Sequence, residues 1–332
     1  MSAAAAAVVE PVRRFDVCNG DADGLCAVVQ WRLQHPAAST LITGLKRDIE
    51  LLARLEPFDV RPGDEVLVCD LSMQRNRACL RRLLEHGAQV SYFDHHEVRD
   101  ALVHPRLRLR LKFDHRCCTS LLMDAELGGS QRRWALVGAY GDNLTEVADA
   151  LPCDVNHHER SRLRALGEAI NHNSYGDEEG DVRVPPSRLY ETLIRYRDPL
   201  RLLECETVGD ELIEARRADL KQAAAHTPCW SDEHSSVIML PDAPWSRRVI
   251  GSLANQLASA QPRIAHAVLK PRAEGGYLAS VRAPVATPHG AHALCLRFGG
   301  SGRGASAGID HLPDHELQRF VGEFTATRWA AH

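Results

Sequence analysis

The chain has 332 residues, more than one hydrophobic core usually supports, so two domains are expected. A hydrophobic content of 44% and a charged content of 25% exclude a mainly disordered or fibrous chain, and a net charge of -4 excludes a globally basic nucleic-acid-binding protein. The ten cysteines form no C-x-x-C pair, which argues against a disulfide framework or a zinc ribbon.

The first half alternates short strand-like runs with helical patterns, which predicts parallel βαβ units and a doubly wound sheet. Strands are predicted at residues 14–18, 40–45, 65–71, 89–93 and 107–113. Helices are predicted around residues 25–33, at 76–86 and at 134–140. These elements indicate an α/β domain.

A polar, histidine-rich region covers residues 156–181 and contains a loop at 176–180. One helical stretch is then predicted from 187 to 225, and a boundary at 228–234. Further strands are predicted at 236–240, 264–269 and 277–282, with a helix at 248–260. A smaller C-terminal α/β domain is therefore expected.

The opening residues lack the basic segment of a secretory signal, and Glu10 interrupts their apolar run. No later run approaches the ~18 apolar residues of a membrane span. We therefore expect a cytoplasmic protein with no membrane partner, and leave a homodimer open.

An acidic turn, Asn19-Gly-Asp21-Ala-Asp23-Gly24, directly follows the first strand and opens a helix. Its spacing also fits an EF-hand calcium loop that ends at Gln30. We reject that alternative because position 12 is Gln rather than a bidentate Glu, position 1 is Asn, and a strand precedes the loop. Carboxylates at the end of a strand attract a hard cation where α/β sheets bind ligands.

Two more predicted strands end in acidic residues. Residues 65–69 lead to Asp70, and residues 89–93 lead to Asp94, His95 and His96. One such aspartate is typical of a helix cap, but Asp-His-His after two earlier acidic strand ends favours a metal site. A further carboxylate, Asp142, follows the glycine that breaks the helix at 134–140.

Carboxylates and imidazoles are typical ligands of Mn²⁺ or Mg²⁺, whereas a structural zinc site usually has thiolate ligands. Two such cations about 3.5–4 Å apart would activate a hydroxide against phosphorus and neutralise the phosphoryl oxygens. The expected reaction is therefore phosphoester hydrolysis.

These motifs resemble those of the DHH phosphoesterase family, which includes RecJ-type exonucleases, nano-RNases, cyclic-dinucleotide phosphodiesterases and manganese pyrophosphatases. The four family motifs are matched in order by residues 19–24, Asp70, residues 94–96 and Asp142. The resemblance implies two Mn²⁺ ions per chain, with Mg²⁺ or Co²⁺ as alternatives.

The resemblance also implies a role for each matched residue. One ion would be held by Asp21 and Asp70, and a second by Asp23, Asp70, His95 and Asp142. His96 would act on the scissile phosphate, with Asp94 in support. Asn19 stands where the family often has His, so it is expected to be a weak ligand.

The second domain carries a glycine-dense loop that resembles the GGGHxxAAG motif of the DHH-associated domain, and residues 279–282 resemble that domain's arginine strand. Exposed N–H groups of such a loop can bind a phosphate. The substrate contacts implied are Arg282, Gly300, Gly302, Arg303 and Gly304, with Arg303 in the place of the family's His.

The resemblance implies a phosphoesterase domain at 12–185, a helical linker at 186–234 and a substrate-binding domain at 235–330. The expected function is Mn²⁺-dependent hydrolysis of a nucleotidic phosphodiester: a short single-stranded oligonucleotide, a dinucleotide or a nucleoside bisphosphate. Two alternatives stay open. One is a phosphomonoesterase or polyphosphate or pyrophosphate hydrolase on the same site, and the other is a non-catalytic nucleotide sensor.

Overall fold

A computed structural model of the chain describes residues 11–329, which divide into two compact units. The first unit contains the described residues up to Ser174 and those from Val184 to Asp210, and the second contains the rest. The division differs from the segments expected from the sequence. The expected linker is shared between the units, and residues 175–183, expected in the first domain, belong to the second.

Ion pairs explain why residues 175–183 belong to the second unit. Asp177 lies 2.7 Å from the ammonium of Lys270, which is buried in a strand of that unit. Asp181 lies 2.6 Å from the guanidinium of Arg247 and also accepts hydrogen bonds from the backbone of residues 177 and 178. These ion pairs tie the short segment to the second unit.

The first unit contains a five-stranded sheet in which all strands are parallel, in the order β2-β1-β3-β4-β5. The strands are β1 (Arg14–Cys18), β2 (Thr40–Ile42), β3 (Glu65–Cys69), β4 (Gln89–Asp94) and β5 (Leu107–Leu111). This sheet confirms the predicted α/β class. Its apolar strands and the surrounding helices form the core of the unit.

Three of these strands end earlier than predicted. β5 ends at Leu111 rather than at 113, and the other two each end for a local reason. β2 ends at Ile42 rather than at 45, because the backbone N–H of Leu45 donates to the Asp48 carboxylate in a turn. β3 ends at Cys69 rather than at 71, because Asp70 has a φ of 57°, in the left-handed region that interrupts an extended strand.

Nine helices of the described part of the first unit surround or follow the sheet. They are α1 (Ala22–Gln34), α2 (Met73–Glu85), α3 (Thr119–Glu126), α4 (Arg132–Gly141), α5 (Thr145–Ala150), α6 (His157–Asn173), α7 (Pro186–Leu193), α8 (Pro199–Cys205) and the start of α9 (Val208–Ala224). The single helical stretch predicted at 187–225 is therefore wrong. Asp198 caps α8 by accepting from the N–H of Leu200, and Pro199 at the first helical position forces a new start.

The second unit contains a six-stranded sheet in the order β10-β11-β9-β8-β7-β6. Its strands are β6 (Trp230–Ser231), β7 (Ser235–Met239), β8 (Ala265–Pro271), β9 (Tyr277–Arg282), β10 (Ser301–Gly302) and β11 (Ser306–Leu312), and its helices include α10 (Pro244–Ala260), α11 (Ala291–Leu296) and α12 (Leu317–Ala326). Only β7 and β8 pair in parallel among these strands. No helix of the described chain is long and apolar enough to cross a membrane.

Candidate metal centre

Three neighbouring strands of the first sheet end level with one another. Cys18 at the end of β1 pairs with Cys69 at the end of β3, and Cys69 pairs with Phe93 of β4. The segments that follow therefore leave the sheet along one edge. The strand order reverses between β1 and β3, which is the position where open α/β sheets bind ligands.

The side chain of His95 lies at the centre of the acidic residues collected at this edge. Its Nε2 is 3.4 Å from Oδ1 of Asp70, 3.9 Å from Oδ2 of Asp23 and 4.0 Å from Oδ2 of Asp142. One ligand atom each from Asp23, His95 and Asp142 lie within 4.8 Å of one another. Ligand atoms about 2.0–2.2 Å from a common centre have such separations, so the donors fit one divalent cation.

A second group of three donors shares His95 with the first. One ligand atom each from Asp70, His95 and His96 also lie within 4.8 Å of one another. His95 therefore links the two groups, and Asp70 lies beside it. Neither group contains Asp21, although this residue follows β1 at the same edge of the sheet.

The carboxylates of this cluster are crowded and buried. Burial, followed by the charge of Asp70, raises the pKa of Asp23 to about 7. Burial, followed by the charge of Asp23, raises the pKa of Asp142 to about 6. Burial and the charge of Asp21 also raise the pKa of Asp70. Such a site carries an excess of negative charge that a divalent cation would neutralise.

The same negative charges also raise the pKa of the two histidines, and there they favour the charged form. Burial alone would lower the pKa of His95, but its hydrogen bond to Asp70 and the charges of the neighbouring aspartates raise it to about 10. Burial would also lower the pKa of His96, but the hydrogen bond to Asp94 and the charge of Asp70 raise it to about 9. A bound cation would compete with the proton on His95.

Asp94 holds the Asp-His-His turn in its conformation. Its Oδ1 accepts hydrogen bonds from the backbone N–H groups of His95 and His96, at 2.9 and 3.3 Å. The same oxygen lies 2.7 Å from Nδ1 of His96. Asp94 is fully buried, whereas the His96 side chain is 48% exposed. The carboxylate therefore orients the half-exposed imidazole through its Nδ1.

Asp23 also anchors a helix, a role that the sequence analysis missed. Its two carboxylate oxygens accept from the backbone N–H groups of Thr119 and Ser120, both at 2.7 Å, in the first turn of α3. The hydroxyl of Thr119 donates to Asp70 at 3.3 Å. The contact between the start of α3 and the acidic cluster depends on tertiary structure, since the two segments are far apart in the chain.

A lysine and an asparagine absent from the sequence-based site complete this edge. Nζ of Lys46 lies 2.6 Å from Oδ2 of Asp21 and 2.8 Å from Oδ1 of Asn171. Burial would raise the pKa of Asp21, but the Lys46 charge and hydrogen bond outweigh it and hold that pKa below its usual value. Lys46 follows β2, so its position after a strand end was a signal that the sequence analysis did not use.

The amide of Asn19 contacts backbone groups at both ends. Its Oδ1 accepts from the N–H of Asp21 at 3.2 Å, and its Nδ2 donates to the carbonyl of Lys46 at 3.1 Å. The geometry gives Asn19 a structural role in the turn. The weak metal contact suggested by the resemblance remains a prediction.

The predicted substrate residues of the second unit lie on its sheet and on a hairpin. Arg282, at the end of β9, donates to Oδ1 of Asn255, to Oγ of Ser280 and to the carbonyl of Val281. Burial lowers its pKa, and these partners are all uncharged. An arginine with such neutral partners retains positive charge for an anion, so substrate binding by Arg282 stays a prediction.

The glycine-dense loop forms the β10–β11 hairpin. A Cβ on Gly300 would lie 2.3 Å from the carbonyl oxygen of Gly308, and one on Gly302, which has a φ of 146°, would lie 2.4 Å from Cα of Ala307. The N–H of Arg303 donates to Ser306 within the turn, and the carbonyl of Gly304 accepts from Ala291. Close backbone packing explains these glycines, and a phosphate contact there stays a prediction.

Similarity to solved structures extends over nearly the whole chain. An exonuclease RecJ bound to manganese matches 95% of this chain and 89% of its own, with 18% identity and a TM-score of 0.59. The DHH domain of a protein assigned to a family of ribosomal proteins matches 95% of this chain and 86% of its own, with 12% identity and a TM-score of 0.62. The chain shares the fold of this RecJ structure and this DHH domain.

A third DHH-fold structure is RecJ from Thermus thermophilus in complex with Mn²⁺, with 19% identity and a TM-score of 0.59. It matches 95% of this chain but only 51% of its own longer chain. No protein-family model matches the sequence, and no curated protein matches it. The likeness is therefore one of fold.

Proposed function

We propose that this chain is a divalent-metal-dependent phosphoester hydrolase that acts on nucleotidic substrates, with Mn²⁺ as its ion. The convergence of Asp23, His95 and Asp142 on one cation-sized space, with Asp70 Oδ1 3.4 Å from Nε2 of the same imidazole, carries the proposal. Hard oxygen and imidazole donors without thiolates suit Mn²⁺ or Mg²⁺. The fold likeness to RecJ structures that contain manganese supports the same ion.

The donors would hold the cation where β1, β3 and β4 end. A divalent cation in such a site activates a water molecule and neutralises phosphoryl oxygens. His96 supplies the second chemical function. Because its Nδ1 bonds to Asp94, its Nε2 is the nitrogen that can face a substrate oxygen. The hydrogen bond to Asp94 favours the protonated imidazole, so Nε2 can donate a proton to the leaving oxygen.

The proposed substrate class depends on the resemblance of the second unit to the DHH-associated domain and on the net charge of the chain. Arg282 would bind a further phosphate of a dinucleotide, a short oligonucleotide or a nucleoside bisphosphate. A net charge of -4 favours such small substrates over long nucleic acid. A cytoplasmic location remains part of this proposal.

Asp70→Asn tests the function with little risk to the fold. Asparagine tolerates the positive φ of this position but removes the charge that the cation needs. We expect Mn²⁺-dependent hydrolysis of dinucleotides and nucleoside bisphosphates to fall about 10²–10³-fold, because the lost charge stabilisation amounts to several kcal/mol. Unchanged turnover in this variant would refute the proposed site.

Asp59→Asn is the matched control. Asp59 also has a positive φ, of 44°, and is exposed. The same chemical change there should leave hydrolysis at the wild-type rate. A panel that includes polyphosphate, pyrophosphate and phosphomonoesters separates diester cleavage from release of terminal phosphate.

A further inference from the structure

The contacts of Asp21 distinguish it from the other aspartates at this edge of the sheet. Its Oδ1 accepts from the N–H of Gly24 at 3.0 Å as the N-cap of α1. Its Oδ2 lies 2.6 Å from the ammonium of Lys46. The Asp21 charge is therefore already neutralised by a side chain, whereas Asp23, Asp70 and Asp142 surround the imidazole of His95.

Lys46 is held in place from several directions. Its backbone N–H donates to the carbonyl of Ser174 at 3.0 Å, and its carbonyl accepts from Nδ2 of Asn19. Its ammonium also contacts Oδ1 of Asn171 in α6 at 2.8 Å. Two asparagines from distant parts of the chain thus position one lysine. The hydrogen bonds of its backbone and the two oxygen atoms that contact Nζ fix the position of the ammonium.

The residue type suits that position. An ammonium is a compact point charge with three donors, whereas a guanidinium is a wide planar fork. Of the 40 basic residues, only four are lysines, at positions 46, 112, 221 and 270. A chain that uses arginine almost everywhere has lysine where a charge of atomic size fits between Asp21 and Asn171.

We propose that the ammonium of Lys46 replaces one of the two cations of a dinuclear site, so that this chain binds a single divalent ion at Asp23, His95 and Asp142, beside Asp70. The inference rests on the proposed metal-dependent function and specifies its stoichiometry. Asn19 then positions Lys46 through the Lys46 carbonyl. The histidine that the family often has at this place is not needed as a metal ligand when an ammonium replaces the ion.

Metal counting tests the inference without reference to turnover. The purified full-length chain is stripped with EDTA and titrated with MnCl₂ by isothermal titration calorimetry, and its metal content is checked by mass spectrometry. We expect one Mn²⁺ per chain. Two ions per chain would overturn the inference but leave the proposed function intact, whereas no bound ion would refute the proposed function itself.

Lys46→Met shows whether the ammonium is the cause. The variant keeps an unbranched side chain one atom shorter and removes the charge, which leaves the Asp21 carboxylate without its cation. We expect the stoichiometry to rise from one to two Mn²⁺ per chain at millimolar Mn²⁺. A stoichiometry that stays at one in a folded variant, as judged by circular dichroism, would overturn the role of Lys46.

Two further variants complete the test. Lys221→Met makes the same change at an exposed position of the second unit and should leave one ion per chain. Asp21→Asn should also leave one ion, because Asp21 pairs with Lys46 rather than with the bound ion. Loss of the remaining ion in Asp21→Asn would contradict the inference.

Discussion

Gly141→Ala should destabilise the first unit and disturb the metal centre together. Gly141 ends α4, directly before Asp142. A Cβ at this position would lie 2.3 Å from Cβ of Ala22 and 2.9 Å from the carbonyl oxygen of Gly167. Ala22 stands between Asp21 and Asp23 at the start of α1. The substitution therefore pushes apart the segments that carry three of the site's aspartates.

Two opposing effects determine the size of the change. Alanine is favoured over glycine in a helix by about 1 kcal/mol at most. Carbon atoms in contact lie about 3.5–4 Å apart, so α1 and α4 would have to separate by more than about 1 Å, and overpacking of this kind costs about 1–3 kcal/mol. Because both the Ala22 side chain and a backbone carbonyl obstruct the new methyl group, the clash should dominate. We expect a net loss of about 1–2 kcal/mol.

Urea unfolding followed by circular dichroism measures this loss, and a Mn²⁺ titration measures the accompanying loss of metal affinity. Gly322→Ala is the matched control, because Gly322 lies in α12, is exposed and has no atom within 4 Å of its added Cβ. The control should be as stable as the wild type or more stable by up to about 1 kcal/mol. A Gly141→Ala variant that unfolds at the wild-type urea concentration would refute the packing argument.

Three other predictions concern charge. Arg32→Met should cost about 3–5 kcal/mol in urea unfolding because it leaves the buried Asp16 carboxylate without its bidentate partner; a loss below about 1 kcal/mol would count against it. Burial opposes ionisation of Asp64, but the hydrogen bond from Arg13 outweighs it and lowers the pKa of this carboxyl group. The Asp64–Arg13 pair therefore adds to the free energy of unfolding above the ordinary carboxyl pKa of about 3.9. This contribution is lost as the pH falls through the lowered pKa. Asp64→Asn should therefore flatten the dependence of stability on pH in that acidic range, and an unchanged slope would argue against this pair. Mn²⁺ at about 100 times its Kd should stabilise the EDTA-treated chain by about 2.7 kcal/mol in thermal unfolding, and Asp142→Asn should remove most of that gain.

The strands that carry the acidic motifs could be predicted because their signal is local. β1 and β9 have the predicted bounds, and β4 is longer by one residue, Asp94 itself. Continuous apolar runs bounded by polar turns indicate buried strands regardless of their partners. The acids that follow those runs then meet at one edge, because parallel strands present their carboxyl ends together.

Two of the errors arose where a polar side chain determines the end of an element. Asp48 ends the extended run of β2 by accepting from Leu45, and Asp198 with Pro199 divides the helical stretch that was predicted as one. The Asp-Pro signal of α8 was present in the sequence. The turn after β2 could not be predicted in this way. Residues 43–45 also fit a strand, and only the hydrogen bond from Leu45 to the Asp48 side chain favours the turn.

The sequence was enough to predict that Asp21, Asp23, Asp70 and His95 follow strands whose carboxyl ends share one edge of the sheet. Only the tertiary structure decided how their charges are balanced. Asn171 lies 125 residues from Lys46 in the chain and contacts its ammonium beside Asp21. The Asp21 carboxylate is thus paired with a lysine, whereas Asp23 and Asp142 lie around His95. The physical reason is that a strand end is specified by neighbouring residues, whereas the partner of a buried charge depends on which distant segments the fold brings within a few ångströms.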